Sequence, residues 1–137
     1  MSKLYKTTFF YLILGLVAGV FYREFTKINS FQGITELGVL HTHLLLLGFF
    51  FFMLATLLAA QFKITEVRGF NAWYIIYNIG VLFTVGMMVW IGMNQVTGAT
   101  MTGLNHMAGS AHVVLSASLV WFMVILGKAM KNKQQVA

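Results

Sequence analysis

Charged residues divide the chain into long apolar runs separated by short polar segments. A helix needs about 20 apolar residues to cross a bilayer. The pattern predicts four such spans, over residues 7–22, 40–62, 72–93 and 105–126. The first is short, but Lys6 and Arg23 at its ends can extend their charged groups to the two membrane interfaces.

The division between the third and fourth spans depends on polarity rather than on charge. Residues 69–127 carry no formal charge and are too many for one span. The polar, glycine-containing segment 94–105 divides them. The pattern therefore predicts a single domain over residues 1–137, an all-α four-helix up-down bundle in a membrane. The first 22 residues resemble a signal peptide but lack a convincing cleavage site, so we interpret them as a retained helix.

Composition supports an integral membrane protein. Hydrophobic residues make up 59% of the chain, and proline and cysteine are absent. Without cysteine, neither disulfides nor thiolate metal sites can form. The net charge of +6 would suggest nucleic acid in a soluble protein. Here the basic residues lie between apolar runs, where they indicate orientation in the bilayer, and no nucleic-acid partner is expected.

The basic residues are distributed unevenly across the predicted membrane. Arg23 and Lys27 lie on one side. The other side carries Lys3, Lys6, Lys63, Arg68, Lys128, Lys131 and Lys133. Because basic residues favour the cytoplasmic side, both termini are predicted to be cytoplasmic, with loops 23–38 and 94–104 outside.

The chemistry of the chain is concentrated in four histidines, His41, His43, His106 and His112, all near the outer ends of the second and fourth spans. An ionisable group at such a depth is costly, so it needs a partner or a purpose. The second and fourth helices of an up-down bundle are diagonal, which suits two imidazoles binding one flat macrocycle from opposite faces. His41 and His43 lie about 200° apart on a regular helix, so one metal cannot easily take both.

The helical stripes around these histidines differ. Small residues dominate the stripe of His41, which predicts room for a flat ligand and gives His41 the better claim to the interior: Gly38, Leu45, Gly48, Phe52, Ala55 and Ala59. The stripe of His112 also carries small residues, among them Ala108 and Ser116. The stripe of His43 is typical of a surface that faces lipid or a neighbour: Leu47, Phe50 and Leu54.

Haem b is the cofactor that this pattern favours, with His41, His43 and His112 as iron ligands. Histidine is a common haem ligand, and the covalent attachment motif C-x-x-C-H is absent. His106 is a further candidate cofactor-binding residue at the interface. Arg23 and Lys27 are candidates to pair with the propionates, although each alone is better explained by marking the membrane interface. Zinc fits poorly, because no span contains cysteine or an acidic residue.

Two alternatives remain open. Met93, Met101, His106 and Met107 cluster on the outer side, and soft thioethers suit Cu(I), which favours a copper-handling protein. Methionine also fills gaps in apolar helices, so such a cluster is more often typical of packing. The other alternative is a non-catalytic membrane assembly subunit with interfacial histidines.

Three segments carry a resemblance to known proteins: FYREFTK at 21–27, LHTHL at 40–44 and GSAHV at 109–113. They resemble a small bacterial four-helix membrane family catalogued as a domain of unknown function, over nearly the whole chain. More remotely, H-x-H and the later histidine resemble the haem-ligating helices of haem-copper oxidase subunit I and of nitric-oxide-response haem–copper membrane proteins. This resemblance implies that His41 and His43 serve different haems and that His112 is the opposite axial ligand of one.

The sequence thus predicts a haem protein of the bacterial cytoplasmic membrane, for electron transfer or for binding oxygen or nitric oxide. Two histidine ligands would favour electron transfer, and an open axial position would favour a gas. A complete oxidase centre is not expected, because the chain has four helices and lacks the His-His copper pair. Besides the lipid bilayer, a redox partner, a quinol and a second copy of the chain are candidate partners.

Overall fold

Over the residues that the structure describes, the protein is all-α, with four helices that are each long and apolar enough to cross a membrane. The computed structural model describes residues 2–99 and 104–136, apart from the side chains of residues 2, 104–108 and 136. A short 3-10 turn, Ile64–Glu66, links the second and third helices. The helices are α1 (Ser2–Ile28), α2 (Leu37–Phe62), α3 (Phe70–Thr97) and α4 (Leu104–Val136). The predicted all-α four-helix class is confirmed.

The helices are longer than the predicted apolar spans. Charges mark the edge of the apolar region, but a helix ends where its backbone geometry changes. α1 continues through Arg23 to Ile28, which the charge pattern placed in a loop. It ends where Ser30 adopts a positive φ of 51° and the Phe31 N–H donates to the Thr26 carbonyl at 2.9 Å. This is a Schellman motif, in which a left-handed residue satisfies free carbonyls of the last turn.

Contacts between side chains give the up-down order of the helices. Leu37, at the start of α2, lies against Gly92 near the end of α3, so these helices are antiparallel. Lys3 of α1 donates to the Asn71 side chain of α3, so the first and third helices run in the same direction. The Lys133 ammonium of α4 lies 5.2 Å from the Phe62 ring centroid of α2. The two chain ends and the α2–α3 turn therefore share one end of the bundle, here called the terminal end.

An aromatic core holds α2, α3 and α4 together. Phe51 stacks on Tyr77 with ring centroids 4.5 Å apart and meets Phe122 of α4 edge-on at 5.0 Å. Trp73 is fully buried, and its indole N–H donates to the Ser118 carbonyl at 2.9 Å. Aromatic pairs at such distances are favourable beyond the area they bury. This core fixes α4 against the later part of α2.

α1 packs closely along α2 because glycines admit large side chains of the opposite helix. A Cβ added at Gly48 would lie 2.4 Å from Tyr11 Cγ, and one added at Gly15 would lie 2.7 Å from Leu45 Cδ2. The Tyr11 hydroxyl then donates to the Asn78 side chain of α3 at 2.9 Å. Small residues at helix interfaces permit such close backbone approach in membrane proteins.

Candidate functional site

His41 faces α1. A Cβ at Gly19 would lie 3.8 Å from His41 Cβ, and the imidazole is half-buried. Its Nδ1 atom is buried without a hydrogen-bond partner among the described residues. Its Nε2 atom lies 3.5 Å from Thr42 Oγ1, at the outer limit for a hydrogen bond. A buried polar nitrogen without a partner is costly, which makes this atom an unexplained feature of the α1–α2 interface.

The small-residue stripe of His41 admits α1 rather than a flat ligand. The Tyr22 hydroxyl would lie 3.5 Å from a Cβ at Gly38, and the Tyr11 ring covers Gly48. The space that these glycines create is therefore filled by tyrosines of α1. A macrocycle could occupy this stripe only if α1 moved away from α2.

His43 has an imidazole whose tautomer is fixed. Its Nδ1 atom lies 2.9 Å from the Val39 carbonyl oxygen, one turn earlier in α2. A carbonyl oxygen only accepts, so Nδ1 carries a proton, and in the neutral imidazole Nε2 then presents a lone pair. Histidines that bind metals usually donate their other ring N–H to a carbonyl or carboxylate in this way. This contact makes Nε2, and not Nδ1, the ring nitrogen of His43 that can accept a bond.

His43 lies about 200° around α2 from His41, the residue that faces α1. Phe51 contacts Tyr77 of α3 and Phe122 of α4. The stripe that was predicted to face lipid or a neighbour does so in part. Phe50 and Leu54 are exposed, whereas the Leu47 carbonyl accepts a hydrogen bond from the Tyr77 hydroxyl at 2.8 Å.

A π-helical segment, Leu44–Phe50, begins directly after His43. Its hydrogen bonds span five residues instead of four, so a regular helical wheel drawn from His43 fails beyond this point. The Tyr77 hydroxyl donates into the segment at the Leu47 carbonyl. π-segments are rare in proteins, and those that occur are often found at functional sites. No local pattern predicts this one, since its sequence, LLLLGFF, is that of an ordinary apolar helix.

His112 is exposed on α4 and lines a cavity of about 200 Å³ between α3, α4 and the start of α2. Gln95 helps to shape this cavity by accepting a hydrogen bond from the Glu36 N–H at 2.8 Å. The lining consists of Glu36, Thr84, Met87, Met88, Ile91, Gln95 and His112. The sequence analysis did not identify the other residues that line this cavity. The adjacent methionines Met87 and Met88, in the outer half of the third span, were a signal that could have indicated them.

His43 and His112 both lie alongside the stretch of α3 between Tyr77 and Gly92. Leu37 contacts Gly92, and Leu47 contacts Tyr77, so His43 lies at a level between these two α3 residues. His112 lines its cavity together with Thr84, which lies in that same interval. Below this level, the contact between Phe51 and Phe122 closes the space between α2 and α4. Both histidines retain exposed surface above it.

The other candidate residues lie elsewhere. Arg23 Nε is 3.6 Å from the Glu24 carboxylate at the exposed end of α1, and Lys27 is exposed in its last turn. The side chain of His106 lies outside the described residues, as does that of Met107, and Met101 is also outside them. Within residues 2–99 and 104–136, no three His, Cys, Asp or Glu side chains of described position form a metal-binding group.

The fold and these residues define a four-helix protein of membrane-spanning composition with its histidines at the end opposite the chain ends. The chain belongs to the family described as "Protein of unknown function (DUF2871)", whose model matches residues 1–129. The predicted membership of a family of unknown function is thereby confirmed. No curated protein and no solved structure matches the chain. The resemblance to haem-copper oxidase subunit I stays a prediction.

Proposed function

We propose that this protein is a multi-pass protein of the cytoplasmic membrane that binds b-type haem through imidazole ligands, for electron transfer or for binding oxygen or nitric oxide. The observation that carries the proposal is the state of His43. Its Nδ1–H is held by the Val39 carbonyl, which leaves Nε2 ready to bind a metal. The π-segment that follows His43 supports a functional role for this point of α2.

His43 and His112 are the ligand pair in this proposal, because both lie at levels between Tyr77 and Gly92 of α3 and both retain exposed surface. His41 lies on the α1 side, so this proposal leaves it outside the ligand pair. A haem held by imidazole transfers single electrons when both axial positions are filled and binds a gas when one is open.

The donor atoms suit haem, whereas the enclosed volume at His112 does not. Pockets that enclose small-molecule ligands have volumes of roughly 300–1,000 Å³, and the cavity at His112 has about 200 Å³. The proposal therefore uses the open side of the bundle above Phe51 and Phe122, where both histidines retain exposed surface. That side would also be accessible to a redox partner.

The absorption spectrum of the protein, purified from cells supplied with a haem precursor, tests this proposal. Wild-type protein is expected to show a Soret band with split α/β bands. His43→Ala and His112→Ala should each abolish this low-spin spectrum or convert it to high spin, and His41→Ala should preserve it. An unchanged spectrum in His43→Ala would overturn the ligand assignment, even with haem bound.

Copper binding is the second candidate function, and the cavity at His112 is the observation that favours it. His112 lines this cavity with Met87 and Met88, and imidazole and thioether are ligands that suit Cu(I). If this function is correct, purified protein will retain stoichiometric copper by elemental analysis and lack a Soret band. The Met87→Leu/Met88→Leu variant should then lose copper without losing its fold. Retention of neither haem nor copper would leave the assembly-subunit alternative.

A further inference from the structure

A cavity of about 520 Å³ opens at the terminal end of the bundle, opposite to the histidines. Its volume lies within the range of roughly 300–1,000 Å³ found for small-molecule sites. It is formed by the end of α2, the turn that follows and the last turns of α4. The lining residues are Ala60, Gln61, Phe62, Lys63, Glu66, Val67, Ala129, Asn132 and Lys133.

This cavity lies where the apolar part of the bundle ends. α2 finishes at Phe62, and Lys63 ends it with a positive φ of 53°. Apolar and polar side chains meet along the cavity wall, from Ala60 and Val67 to Asn132. In a helix that crosses a bilayer, such a transition occurs at the level of the lipid headgroups.

Two cations and two amides face the cavity. The Lys133 ammonium lies 5.2 Å from the Phe62 ring centroid, a cation–π contact that holds the charge over the apolar wall. Lys63 supplies the second ammonium, and Gln61 and Asn132 supply amide N–H donors. The Glu66 carboxylate also lines the cavity. The lining therefore carries one net positive charge, which suits a singly charged phosphodiester better than a phosphomonoester, whose charge is about −1.5 to −2.

We propose that this cavity binds the phosphodiester headgroup of an anionic phospholipid. Lys63 and Lys133 pair with the phosphate, and the apolar wall of Ala60, Phe62 and Val67 contacts the glycerol and the first carbons of the acyl chains. The apolar wall favours a lipid over a free phosphate ion, which would gain nothing from it. Clusters of basic residues at the cytoplasmic ends of membrane helices commonly recognise anionic lipids.

Lipid retention by the full chain tests this inference. Delipidated protein in detergent is offered equal amounts of phosphatidylglycerol and phosphatidylcholine, and the retained lipid is quantified. Wild-type protein should retain several-fold more phosphatidylglycerol. The Lys63→Gln/Lys133→Gln variant should lose this preference, whereas Lys128→Gln/Lys131→Gln should keep it, because it removes the same charge from α4 residues outside the lining. Phe62→Leu changes no charge and should weaken the preference by removing the ring beneath Lys133.

Three outcomes would overturn the inference. Equal retention of both lipids by the wild-type protein excludes a headgroup site. Equal loss of preference in both double-lysine variants indicates general charge attraction instead of this cavity. Displacement of phosphatidylglycerol by excess inorganic phosphate assigns the cavity to a soluble anion. The wild-type comparisons remain decisive even if a variant fails to fold.

Discussion

At the scale of single residues, the two histidines of the H-x-H motif differ in the hydrogen bonds that their ring nitrogens make. His43 donates to Val39 and presents Nε2, whereas the Nδ1 atom of His41 is buried against α1 without a partner among the described residues. The sequence identifies both residues as candidates and gives His41 the better claim to the interior, but it does not show which helices contact them. In the structure, tyrosines of α1 occupy the space beside the small residues of the His41 stripe.

The hydroxyl of Tyr77 provides a test at this scale. Tyr77→Phe removes the donor to the Leu47 carbonyl inside the π-segment. We expect the free energy of unfolding in detergent to fall by about 1 kcal/mol, the typical net value of one hydrogen bond. Tyr5→Phe is the matched control, because Tyr5 is 66% exposed and no change is expected. Equal unfolding midpoints for the two variants would show that the hydroxyl contributes nothing.

At the scale of helices, the sequence predicts the number, order and approximate place of the spans, because charges and polarity mark the edges of apolar runs. It does not mark the ends of α1 and α3, which depend on the left-handed residues Ser30 and Gly98. It also does not predict the π-segment after His43, which depends on a contact with α3. Which helix a stripe of residues faces is set by the packing of the whole bundle, so the sequence of one helix alone does not predict it.

The left-handed residues that end α1 and α3 allow a reciprocal test. Ser30 ends α1 with a positive φ, and Gly98 occupies the equivalent place at the end of α3 with a φ of 73°. Because the left-handed conformation costs a non-glycine residue about 1–2 kcal/mol, Ser30→Gly should raise the thermal midpoint and Gly98→Ser should lower it. Shifts of the same sign would contradict this account of the helix ends. Thermal unfolding followed by circular dichroism measures both.

The packing of α1 on α2 leads to a second test with helical glycines. Gly48→Ala places a Cβ 2.4 Å from Tyr11 Cγ, so we expect a loss of about 1–3 kcal/mol from overpacking. Gly86→Ala has nothing within 4 Å of its Cβ, so the higher helix propensity of alanine should stabilise the protein slightly. Denaturant unfolding in detergent compares the two variants. Similar stability of both would mean that α1 does not pack on this stripe as described.

At the scale of the whole molecule, one end of the bundle carries a group of lysines and the opposite end carries the histidines. Lys3, Lys63 and Lys133 lie at the terminal end, and Arg23 and Lys27 lie at the other end with His41 and His43. The bundle therefore carries the asymmetry that the positive-inside rule uses. This asymmetry supports the proposal that both chain ends are cytoplasmic.

Labelling of single cysteines tests the orientation, and the chain suits the method because it contains no native cysteine. Ser30→Cys and Gln134→Cys place thiols at opposite ends of the bundle, both at exposed positions. An impermeant maleimide should label Ser30→Cys in intact cells and Gln134→Cys only after permeabilisation. The opposite pattern would reverse the orientation and place the histidines at the cytoplasmic side.

The central claim is that the histidine end of this bundle binds haem, and the haem-to-protein ratio of purified protein tests it most directly. Cells supplied with a haem precursor should yield wild-type protein with about one haem per chain, since one ligand pair is proposed, His43 with His112. The His43→Ala/His112→Ala variant should contain almost none, while His41→Ala should match the wild type. A wild-type protein that folds but contains no haem, even after haem is added, would contradict the account.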